Sequence, residues 1–277
     1  MSDYTHSNDW QINNLHTAME YNTNGDPVLR VSTHASGSGT SLSGLPFYLQ
    51  VAQGNVPGYS FNHKFGAVPE LSNNSTGTVW DVDATIYPWD ALGTGNNINI
   101  ELNNQADVGI SVTVQGLDAN YEPAEETILT TGTDTVGTQT FIRVNRAFCD
   151  EQNAANIDIE AGAAGGTTVA RISAGNAQTL MAVYTVPAGK TAYILHGTMS
   201  TQWGADGTGN MFVRYFGQDS FRIGHTFEVS GHGGQYDYTF ATPIPVPEKS
   251  DIDIRVATRS NNGRFTAAFD VLLVDNT

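Results

Sequence analysis

The 277 residues carry 28 acidic against 12 basic side chains, a formal net charge of −16, and only 14% of the residues are charged where an average soluble domain has about a quarter. This balance disfavours nonspecific nucleic-acid binding, which needs Lys and Arg to displace counterions from phosphates. Cys149 is the only cysteine, which excludes an intrachain disulfide and a thiolate metal cage. No run approaches the ~20 apolar residues of a membrane-spanning helix, so no membrane partner is expected.

The charge is uneven along the chain. Residues 1–138 hold Arg30 and Lys64 against fifteen carboxylates, which places −13 of the −16 there. The opening MSDYTHSNDWQINNLH has neither a basic stretch nor an apolar one, so no targeting signal is read from it, and synthesis in a cytoplasm is the expectation. The overlapping sequons at Asn73 and Asn74 read as plain loop.

In chain order, Asp9 to Glu20 is predicted as a short helix, with Asn8 or Asp9 as cap and Ile12, Leu15 and Met19 at helical spacing. A turn cluster from Tyr21 to Pro27 leads to a brief strand at Val28–Val31, and HASGSGTSLSG from His34 to Gly44 reads as a flexible linker. Strands are expected at Phe47–Val51, through Phe61 and Phe65, and then as a procession at 78–82, 97–102, 109–115, 126–130 and 140–145. In Gly109–Gln115, Ile110, Val112 and Val114 face one way and Ser111, Thr113 and Gln115 the other, the pattern of a half-buried strand.

The Gly/Ala break from Ala161 to Gly166 is taken as the boundary between two halves. Beyond it, strands are predicted at 167–172, 210–216, 220–229, 235–242, 251–258 and 264–274. Between the first two of these, Thr179–Met199 reads as a hairpin turning at Val186-Pro187-Ala188-Gly189. The prolines of Thr242-Pro243-Ile244-Pro245-Val246-Pro247 cannot donate to a ladder, so that run belongs at a sheet edge or a crossing. The expected fold is all-β, antiparallel, of β-sandwich or jelly-roll architecture: an N-terminal arm and linker over 1–58, a first β-domain over 59–165 and a second over 166–277.

The residues offer little chemistry. None of the seven histidines has the spacing of a metal-binding helix; His225 and His232 flank a Gly-rich turn and could gather with Asp237 at a rim, although loop and strand-end positions explain them as well. Asp251-x-Asp253, and with it Asp81-x-Asp83, puts two carboxylates on one strand face, a solvent-side pair in the ordinary case and part of a Ca²⁺ site only with further oxygens. There is no GxSxG, P-loop or strand-linked GxGxxG. A glycosidase would need two carboxylates across a cleft, and nothing singles out a pair. Trp80, Tyr87, Trp89 and Trp203 are aromatic enough to stack on sugar rings but suit a sheet core better. The expectation is a protein without catalytic residues, cofactor or metal.

An ordered series of segments carries a resemblance: DWQINNLHTAMEYNTNGDPVLRV, VAQGNVPGYSFNHKFG, VTVQGLDANYEPAEETILTTGTDTV, RVNRAF, QTLMAVYTVPAGKTAYIL, VRYFG, PIPVPEKSDIDIRV and FDVLLVDN. Together they cover nearly the whole chain, which resembles virion structural proteins of tailed bacteriophages, especially marine ones. The resemblance implies a β-rich, non-enzymatic component located in the virion, a head decoration or cement protein or alternatively a collar or tail component. It also implies partnership with the major capsid protein or other virion subunits and a symmetric homo-oligomer, by analogy a trimer. The N-terminal arm, with Trp10, Ile12, Leu15 and Met19, is the expected contact to a capsid subunit or sister copy. The competing expectations are a carbohydrate- or receptor-binding module of a tail fibre and, third, a glycan hydrolase.

Overall fold

The computed structural model describes residues 19–21, 27–29, 45–202, 204–231 and 233–276, and the chain divides into two compact units, Met1–Pro57 and Gly58–Thr277. In the first unit β1 (Met19–Tyr21) pairs antiparallel with β2 (Pro27–Leu29), Met19 opposite Leu29. The expected helix over 9–20 falls mostly outside the described residues, but Met19 and Glu20 are strand. A short helix has little stability of its own, and an Asn/Gly/Asp/Pro-rich connection favours folding the chain back on itself.

The expected strand at Phe47–Val51 is instead α1 (Phe47–Ala52). Pro46 stands at its N-cap, where a missing N–H costs nothing, and its carbonyl accepts from Leu49 N at 3.0 Å and Gln50 N at 3.2 Å. A short apolar run reads alike as strand or helix, and here the proline decides.

The second unit is all-β, and every strand pairing in it is antiparallel. One sheet runs β16 (Gln235–Val246), β13 (Lys190–Gln202), β18 (Gly263–Asp275), β3 (Tyr59–Leu71). A second runs β12 (Val183–Thr185), β17 (Asp251–Ser260), β14 (Asp206–Arg214), β15 (Arg222–Val229), with β4 (Thr76–Thr78) also on β17. Their inner faces share one core, in which Ile252, Ile254 and Val256 meet Phe265, Phe269, Ile194, Met199 and Phe227, all fully or almost fully buried. Each such side chain contributes roughly 1.5–3 kcal/mol by leaving water.

The third sheet runs β11 (Thr168–Ile172), β10 (Ile157–Ala161), β5 (Ile98–Leu102), β8 (Asp134–Val136), and the fourth β7 (Pro123–Leu129), β6 (Ser111–Leu117), β9 (Arg143–Cys149). They share a second core of Ile98, Ile100, Val112, Val114, Phe141, Ile157 and Ile159, closed by Trp80, Tyr87 and Trp89. Val112 and Val114 point inward and Ser111 and Gln115 are half-exposed, as the alternation predicts, whereas Thr113, expected on the same outer face, is buried and shares a hydrogen bond with Thr127.

Two expectations are corrected by these pairings. The buried members of the second core lie between Trp80 and Val183, whereas those of the first come from 68–79 and 182–273. The cores therefore do not follow a boundary at 165/166: β3 and β4 pair with β18 and β17, and the Ala161–Gly166 break is the turn of the β10–β11 hairpin. The second core is thus an insertion between β4 and β12 of the first.

Nor is Thr179–Met199 a hairpin. β12 pairs with β17 in one sheet and β13 with β16 and β18 in another, so Val186–Gly189 is a corner between sheets. Its backbone is satisfied from elsewhere: Val186 N donates to Ser250 O at 3.0 Å, Lys249 N to Val186 O at 2.8 Å, and Ala188 N to Tyr121 O at 2.9 Å. The proline-rich run ends β16, which is an edge strand, as its missing donors require.

Candidate functional site

β17 is buried on both faces, but only one is apolar. Its other face carries Asp251, Asp253 and Arg255, of which both carboxylates are buried at 2% and 0% exposure. The solvent-side pair expected from Asp251-x-Asp253 is therefore an interior one. Arg143 of β9 meets Asp251 in a two-pronged ion pair, Arg214 of β14 donates to the same carboxylate from Nη2 at 2.7 Å, and Thr185 Oγ1 donates to it at 2.6 Å. Asp253 accepts from Arg255 Nε at 2.7 Å, Trp89 Nε1 at 3.0 Å and Thr78 Oγ1 at 3.0 Å.

Burial pushes the Asp253 carboxyl above its ordinary range, although Arg255, Trp89 and Thr78 all favour the ion. Burial also works against the Arg143 charge, yet its bond to Asp251 leaves the guanidinium more firmly protonated than usual. Arg143 and Arg214 lie 5.7 and 5.8 Å from the Trp89 ring, and Arg255 lies 4.4 Å from that of Phe221. With both carboxylates held by guanidinium, indole or hydroxyl donors, this cluster fastens the two cores.

A second feature had no signal in the sequence beyond Lys64 being one of two cations in the first 138 residues. A cavity of about 670 Å³ lies between the first half of β3 and residues of β6, β7 and β9. Lys64 lines it at 6% exposure, its ammonium donating to the Asn145 carbonyl. Burial, and then the charge of Arg146, lower its pKa to about 7. Arg146, also lining the cavity, donates to Gln178 Oε1 at 3.0 Å and stacks 4.9 Å over Phe148.

The outer face of the β3-containing sheet carries a chain of alternating acids and imidazoles. Asp237 Oδ2 lies 3.1 Å from His196 Nε2, His196 Nδ1 lies 3.4 Å from Asp270, and Asp270 Oδ1 lies 2.5 Å from His63 Nδ1. Asp237 thus partners His196 rather than His225, correcting the expected rim cluster; His232 lies outside the described residues. His225 instead stacks on Tyr238 at 5.0 Å, with Tyr236 and Phe240 beside it.

Trp80, Tyr87 and Trp89 are core residues, buried and packed edge to face at 5.2 and 4.7 Å. Trp203 lies outside the described residues, as do Trp10, Ile12 and Leu15, and Met19 is in β1. Cys149 is half-buried, and burial with Asp150 and Asp107 nearby pushes its thiol up to about 12, away from nucleophilic use.

No known protein family matches the chain, and no curated protein does. Among solved structures it is similar to the cowpea mosaic virus top component, a naturally occurring empty particle, at 10% identity and a TM-score of 0.21, covering 63% of this chain and 80% of that one. It is also similar to the infectious bursal disease virus VP2 subviral particle, at 9% identity and a TM-score of 0.21, covering 84% and 78%. Superpositions this loose carry no argument about fold or function.

Proposed function

We propose that the chain is a noncatalytic structural component of a virus particle, a decoration protein that its N-terminal unit fastens to a capsid subunit or sister copy. In this reading the body is a pair of two-layer β-sandwiches assembled as a symmetric trimer. The whole-chain resemblance to tailed-phage virion proteins motivates it. The observation that carries it lies in the N-terminal unit: Leu45, Phe47, Tyr48 and Leu49 are 38%, 50%, 58% and 39% exposed, four large apolar side chains within five residues.

Exposed apolar patches of that kind mark contact surfaces. Trp10, Ile12, Leu15 and Met19 extend the same unit and are the proposed partners in the contact. Repetition over a lattice lets modest single contacts hold firmly. Deleting residues 1–57 is expected to abolish association with particles while the far-ultraviolet circular dichroism of the body persists. A truncated body that still saturates particles rejects the reading.

A tail-located sugar binder is the second reading, favoured by one observation: Tyr238, 42% exposed, stacks on His225 with the planes 28° apart. Silence of the full chain across an array of host-surface glycans would remove it.

A further inference from the structure

The cavity beside Lys64 poses a physical problem that the rest of the molecule solves elsewhere. Arg143, Arg171, Arg214 and Arg255 each hold a carboxylate. Lys64 and Arg146 do not: among the described residues Lys64 donates only to a neutral carbonyl and Arg146 to a neutral amide. Among the residues lining the cavity none is an acid, in a chain with 28 of them. Two cations in close reach of one another, one of them buried, repel and are poorly solvated unless an anion joins them. The depressed pKa of Lys64 is the same tension seen from the ammonium's side.

The shape of the cavity says what form the anion takes. Six consecutive residues of β3, Ser60 to Phe65, line it. Successive side chains of a strand point to opposite faces, so an unbroken run brings the strand's edge into the wall, which Leu273 of β18 and Lys190 of β13, the latter already paired with Asp275, continue inward from the edge. β3 is the last strand of its sheet, with β18 on its other side. A strand edge presents backbone donors and acceptors at the spacing of another extended chain.

We propose that this groove binds an extended acidic peptide segment, which lies along the edge of β3 and places a carboxylate between Lys64 and Arg146. The strand edge supplies backbone pairing and the two cations select the acid. This stands independently of the virion reading, since it concerns the body alone and requires no particle.

The test is titration calorimetry of the full chain at pH 7 with the blocked peptide acetyl-(Thr-Glu)₄-amide, its Thr-Gln counterpart, and polygalacturonate as a non-peptide polycarboxylate. Saturable binding of the Glu peptide is expected, with the Gln peptide at least tenfold weaker. Lys64→Met and Arg146→Gln should each weaken the Glu peptide at least fivefold. Arg146 is exposed, so its variant keeps the fold and reads the same site independently of any change in stability at Lys64. Absence of saturable binding, equal affinity for the Gln peptide, or indifference to both substitutions overturns the proposal. Binding of polygalacturonate without binding of the peptide overturns it too, in favour of an acidic glycan.

Discussion

Arg143 grips Asp251 with both prongs of its guanidinium, Nε to Oδ1 at 2.9 Å and Nη2 to Oδ2 at 3.2 Å, across 108 residues of chain and from one core to the other. An ion pair buried this deeply adds little over a well-packed apolar pair, but breaking one side of it leaves an uncompensated charge. Asp251→Asn is therefore expected to destabilise the body by about 3–5 kcal/mol, since Arg143 loses its two-pronged partner and Arg214 is left with the exposed Asp90 alone. Urea unfolding followed by tryptophan fluorescence measures this. The double variant Arg143→Met with Asp251→Leu should recover much of the loss, and an equal loss in the double would show that the pair acts through something other than its charges.

Asp81 offers a test of opposite sign. It is 7% exposed, accepts from Ser173 Oγ at 2.8 Å, and its Oδ1 has no hydrogen-bond partner among the described residues. Burial raises its pKa to about 6, against lowering by Ser173 and Arg171. The folded chain then binds the proton more tightly than the unfolded one, so this group's contribution to stability falls as pH rises from about 4 to about 6. Asp81→Asn should raise Tm at pH 7, by an amount corresponding to roughly 1–3 kcal/mol, and the gain should close below about pH 4. Calorimetric scans at the two pH values decide it.

Lys64 gives the mirror case. With a folded pKa of about 7 against an ordinary 10.5, the unfolded chain holds more protons between those values, so stability from this group rises with pH through that window. Lys64→Met should raise stability at pH 7 by about 2–4 kcal/mol, less about 1 for the donor lost to the Asn145 carbonyl. The difference from the parent should shrink towards pH 10, as chemical denaturation at pH 7 and pH 10 would reveal.

Gly66 marks where β3 crosses the inserted segment. A Cβ there would stand 2.3 Å from Val79 O and 2.5 Å from Ala182 N, backbone atoms with nowhere to retreat. Ala182 N itself donates to Val79 O at 2.9 Å, so the clash falls on a formed bond. Gly66→Ala should cost at least about 3 kcal/mol, beyond the ordinary range of overpacking. A Tm within 2–3 °C of the parent, a shift of about 1 kcal/mol for a body of this size, would contradict that.

Alternation served well wherever one face of a strand meets water: β6, β11, β14, β15 and β18 lie close to where the sequence puts them. The proline run of β16 likewise announces an edge, because a missing N–H is a local fact. What the sequence hides is partnership over distance. Val186-Pro187-Ala188-Gly189 has the chemistry of a tight turn, and only the distant acceptor Ser250 and the Tyr121 carbonyl make it a corner. Asp251 and Asp253 look like surface acids until Arg143, Trp89 and Thr78 arrive from 108 to 175 residues away. The Lys64 groove has no motif at all, since it is made of a strand edge and of residues that meet only when two cores come together.

The position of β18 sets the order in which the body can form. It lies between β13 and β3, with Val68 opposite Phe265 and Tyr59 opposite Val274. A ribosome makes about 5–20 residues each second, so β3 waits on the order of 10–40 s for its only described neighbour in that sheet. Throughout that interval Phe61 and Phe65 belong to an unmatched edge that any other nascent copy could capture. The charge of Lys64 and the proline at 69 sit where they would discourage such a meeting. The same lysine that burdens the finished fold thus guards the unfinished one.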